Sequence, residues 1–62
     1  MTRKQTLEDL FLAVRKDLLN KGVSDETATA VARTIYMKCT YDETLTIAEI
    51  KMIRDTFLKG VE

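Results

Sequence analysis

The chain has 62 residues, ten basic and ten acidic, with no histidine, no proline, two glycines and one cysteine. One cysteine excludes an internal disulfide, the lack of histidine removes the commonest general base and a principal zinc ligand, and a net charge of zero lacks the positive excess of a dedicated nucleic-acid binder. A chain this short supports one domain, 1–62, and buries only about 60% of its unfolded surface, so its core is marginal and a partner chain is the most available further staple.

The first helix is predicted over 3–21. Thr2 and Thr6 are both cap-competent, with Gln5 and Asp9 three residues on. Leu7, Leu10, Phe11, Val14 and Leu18 follow the spacing of one buried helical face. Gly22 can take the left-handed conformation that closes a helix, and Val23 should fold back towards Leu18.

A second helix is predicted over 25–39. Ser24 is its cap, and Asp25 and Glu26 meet the positive end of its dipole. Ala28, Val31, Ala32, Ile35 and Cys39 form its apolar face, with Tyr36 at the edge. The tract 40–44 shows no helical period and reads as a loop.

The third helix, 47–59, carries the clearest local signal. Thr46 and Glu49 have capping-box spacing, and Leu45 and Ile50 flank them as a hydrophobic staple. Ile47, Ile50, Ile53 and Phe57, extended by Val61, form the buried face, and Gly60 is the expected stop. The fold class is therefore all-α, a single three-helix domain. The tight Gly22–Ser24 turn makes the first two helices neighbours, and the third should close over the groove between them.

Chemistry finds little support. Cys39 falls on a core face near a helix C-terminus, where neither burial nor the dipole favours a thiolate. Asp42 and Glu43 lack the oxygen set and turn glycine of a calcium loop. No cofactor, no metal and no catalytic residue is expected.

Apolar residues off the core faces say more. Leu12 and Leu19 lie seven apart on the outer side of the first helix, Ala30 and Met37 repeat that spacing on the second, and Met52 stands on the back of the third. Such stripes suit self-association or a partner surface, and methionine suits an adaptable one. Arg54 sits inside the apolar stripe of the third helix. It is either an edge residue with a packed stem and a wet head, or an ion-pair or anion-contacting group.

The Lys21-Gly22-Val23 junction loosely resembles the first turn of ubiquitin-associated domains, which reads Met-Gly-aromatic; Lys21 and Val23 depart from it. That resemblance implies a three-helix fold used for protein binding. Residues 28–58 are loosely similar to the helical part of ATP-cone domains, without the N-terminal hairpin that carries nucleotide contacts. No binding residue is carried over from either family.

The expected function is a non-enzymatic interaction or regulatory module presenting a helical apolar face to another protein, to its own copies, or to both, with a homodimer in view. Leu12, Leu19, Tyr36, Met37, Tyr41 and Arg54 are the candidates for that face. The alternative is a small DNA-binding regulator acting as a dimer. Against it, a helix-turn-helix wants about three to four turn residues, and residues 40–46 separate the last two predicted helices. A third option is capture of a small anion by Arg54 and Lys51. No apolar run is long enough to span a membrane, and Glu8 and Asp9 interrupt any signal core, so the expected address is the cytoplasm.

Overall fold

The computed structural model describes residues 2–59, in three helices: α1 (Arg3–Asn20), α2 (Asp25–Tyr41) and α3 (Ile47–Lys59). Of the two candidate starts for α1, Thr2 is the cap. Gln5 N–H donates to the Thr2 hydroxyl at 3.1 Å, and Thr2 N–H donates to the Gln5 side chain at 2.9 Å. Thr6 lies inside the helix, buried, with its hydroxyl donating to the Thr2 carbonyl at 2.9 Å. At the other end Gly22 takes φ +87°. Val23 N–H donates to the Leu18 carbonyl and Gly22 N–H to the Leu19 carbonyl, both at 3.1 Å, which is a Schellman ending.

Ser24 caps α2 by accepting from Thr27 N–H at 3.3 Å. The helix runs on to Tyr41, two residues past the expected end at Cys39. Thr40 and Tyr41 contain no helix breaker, and Thr40 turns its hydroxyl to the Tyr36 carbonyl at 2.8 Å. The break comes at Asp42, whose carboxylate accepts from the Thr44 hydroxyl at 2.6 Å and from Thr44 N–H at 3.1 Å. That local turn competes with another helical residue. The α3 entry is as the sequence states: Thr46 N–H donates to Glu49 at 3.0 Å and Glu49 N–H to the Thr46 hydroxyl at 3.2 Å. Gly60 and Val61 lie outside the described residues.

Leu7, Leu10 and Val14 of α1 are buried with Ala32 and Cys39 of α2 and Ile50 of α3. Phe11, Leu18, Ile35, Tyr36, Leu45, Ile53 and Phe57 pack around them, partly exposed. α1 is the central element: α2 and α3 both pack on it and hardly touch each other. This corrects the expectation that the third helix closes over the groove between the first two. α3 leans on α1 by burying Ile50 against Leu7, Leu10 and Val14, with the Arg54–Asp9 pair beside that contact, while the α2–α3 connection is tied to the start of α1. Val31, expected in the core, is exposed, as follows when α3 does not bridge to α2.

Arg3 makes that tie. Its guanidinium donates to the carbonyls of Cys39 (2.8 Å), Asp42 (2.7 Å) and Leu45 (3.4 Å). The Cys39 carbonyl is among the last four of α2, which have no helical partner of their own, and a cation is favourable there. Arg3→Met is expected to lower unfolding free energy by about 1.5–3 kcal/mol, the range for hydrogen bonds to a charged group. A urea midpoint equal to wild type would contradict this role.

A second outcome concerns pH. The Thr44 hydroxyl, then its N–H, hold the Asp42 carboxyl below its ordinary value of 3.8. A carboxyl lowered in the folded state adds stability above its unfolded value and loses it as pH falls through the folded one. The stability gap between wild type and Asp42→Asn should be widest near neutrality and close below the ordinary carboxyl value. A gap that stays constant on acidification would count against these hydrogen bonds.

Candidate interaction surface

Where α1 and α2 run side by side, an open groove of about 390 Å³ is lined by Glu8, Phe11, Leu12, Thr29, Arg33 and Tyr36. Phe11 and Tyr36 meet as a tilted ring pair with centroids 6.0 Å apart. Both belong to the partly buried shell, so the pair is anchored in the core. Leu12 stands beside them and is 62% exposed. On α2, Met37 lies one turn beyond Arg33, while Tyr41 has turned about 120° away from Thr29. Met37 is 42% exposed and Tyr41 75%.

One end of the groove is fixed by Arg15 of α1, which donates to the Thr29 hydroxyl at 3.1 Å and to the Asp25 carboxylate at 2.6 Å. These bonds set the two helices' register at that end. Glu8 and Arg33 make no ion pair among the described residues. The result is an apolar strip with one acidic and one basic side chain on opposite walls.

Of the residues singled out from sequence, the structure brings Leu12 and Tyr36 into one groove, which neither Met37 nor Tyr41 lines. Leu19 is half-buried and does not line the groove. Arg54 lies on a different helix, and its guanidinium is occupied. It bonds Asp9 of α1 and reaches the Asp55 carboxylate at 3.3 Å and 3.2 Å. These contacts, Asp9 first, raise its already high pKa, so its charge is permanent and internally matched.

A second open groove, also about 390 Å³, lies on α3 and was not singled out from sequence. Leu45, Glu49, Met52, Ile53, Thr56 and Phe57 line it, and Met52 is 67% exposed. Ile53 and Phe57 read as core from their spacing; one side of each stays open because α2 does not reach them. The signal for this groove was Met52 itself, off the stripe.

Cys39 is buried beneath Arg3's anchor point. Burial raises its thiol pKa, Arg3 opposes the rise and Asp42 adds to it. A protonated, enclosed thiol is a poor nucleophile. Among the described residues no helix is long and apolar enough to cross a membrane. α2 and α3 are separated by residues 42–46, still longer than a helix-turn-helix turn.

No family model, no curated protein and no solved structure matches this chain.

Because Arg54 is matched within its own chain, Arg54→Met should leave any association through the α1–α2 face unchanged and cost under about 1 kcal/mol of stability, the range of a part-exposed pair. Loss of association in a variant with normal helical content would place Arg54 in the interface.

Proposed function

We propose that the chain is a non-enzymatic interaction module that presents the α1–α2 face to another protein chain, its own copies included. One observation carries this reading: Leu12, 62% exposed on a helix that otherwise packs two neighbours, lies beside an anchored aromatic pair. Tyrosine and arginine are among the residues that dominate interface energetics, and Tyr36 and Arg33 both line the groove that Leu12 overhangs. Met37, one turn beyond Arg33 on α2, adds a further exposed apolar side chain next to it. A strip of this kind gains by leaving water, whereas scattered single apolar residues gain little. The DNA-binding alternative lacks comparable support, since Arg54 is spent on two carboxylates and Glu49 and Asp55 interrupt the remaining positive charge of α3.

The test is affinity capture of the tagged chain from a lysate of its source, with and without nuclease, wild type beside Leu12→Glu. Burying a leucine side chain is worth about 1.5–3 kcal/mol, so the variant should recover at least about tenfold less partner. Its helical circular dichroism and urea midpoint should match wild type, because residue 12 is exposed. Equal recovery by both proteins would contradict the reading, and partners lost on nuclease treatment would favour the nucleic-acid alternative.

A further inference from the structure

We propose that the occupant of the α1–α2 groove is a second copy of this chain, docked about a two-fold axis that runs along the groove. The inference rests on the interaction reading above and names the partner and its register.

A two-fold interface is isologous, so the same patch must complement itself. The α1–α2 groove does. Its α1 wall carries Glu8 and its α2 wall carries Arg33, both exposed and neither in an ion pair among the described residues. An axis along the groove lays α1 of each copy over α2 of the other. Glu8 of one copy then meets Arg33 of its partner, and the same pair forms a second time across the axis. Between the two pairs, Leu12 of each copy comes down on the opposing α2 ridge, against the Arg33 stem and Met37. The four residues that protrude without internal partners thus satisfy one another.

The α3 groove offers no such match. Its one charged lining residue is Glu49, and self-docking there would supply no opposite sign.

The experiment is sedimentation of Glu8→Arg alone, Arg33→Glu alone and an equimolar mixture of the two, beside wild type. Alone, each variant opposes two like-charged pairs across the axis and should dissociate at least about tenfold more readily than wild type. In the mixture both pairs regain opposite signs, arginine on one copy facing glutamate on the other, and a heterodimer should form with affinity near that of wild type. An attraction inside one chain cannot produce this rescue, so the mixture separates contact between copies from contact within them. Circular dichroism of each variant, expected to equal wild type because both sites are exposed, confirms that a folded chain is being compared.

A wild type that stays monomeric over the concentration range, a single variant that dimerises as wild type does, or a mixture no better than its components each overturns the second-copy proposal. None of these removes the interaction reading, which falls if Leu12→Glu leaves partner capture unchanged or if captured partners are lost on nuclease treatment.

Discussion

The contact between Arg3 and three backbone carbonyls decides how the rest of the chain is arranged. A three-helix chain with short connections can place its third helix in the groove between the first two or beside the first alone. Here the end of α2 and the turn after it are held against the first turn of α1, so α3 starts beside α1. Asp9 and Arg54 then hold it along that helix. α1 becomes the one element with neighbours on both sides, and its buried face, Leu7, Leu10 and Val14, serves α2 and α3 together.

That arrangement explains what is left open. Two helices that share a central helix but not each other cannot enclose all of their apolar side chains. Ile53 and Phe57 of α3 touch the core with one side and line a groove with the other. On the far side of α1, the Phe11–Tyr36 pair seals the core and floors a second groove. What distinguishes the two is charge. The α1–α2 groove has an acid and a base on opposite walls, and its register is set by Arg15 against Thr29 and Asp25. Of these two grooves, the α1–α2 one combines an apolar strip with charges of both signs.

The sequence states the local structure well because local rules operate within one helical turn. The Thr46–Glu49 box, the Gly22 Schellman turn and the Ser24 cap each involve residues a few positions apart, and each forms as its spacing predicts. The long-range ties were not legible. Arg3 meets its acceptors 36 to 42 residues away, and those acceptors are backbone carbonyls, which every residue possesses and no pattern marks. Without that tie the placement of α3 could not be read, and with it went the exposure of Val31 and the open side of Phe57. The end of α2 was misplaced for a related reason: Asp42 and Thr44, not a loss of apolar period at Cys39, end the helix. Of the candidate surface, Leu12, Tyr36, Met37 and Tyr41 were legible as residues off or at the edge of the core stripes. Only Leu12 and Tyr36 meet in the groove, which depends on how α1 packs on α2, and Glu8 and Arg33 were invisible as a pair until both walls stood opposite each other.

The central claim is that this face, and not the α3 groove, is where the chain meets a second copy of itself. A dilution series followed by amide nitrogen–proton correlation spectra addresses it residue by residue. The account predicts that concentration-dependent shifts gather on Glu8, Leu12, Arg33 and Met37, while Met52, Ile53 and Phe57 stay fixed. Shifts gathered on the α3 residues, or none anywhere in the series, would contradict it.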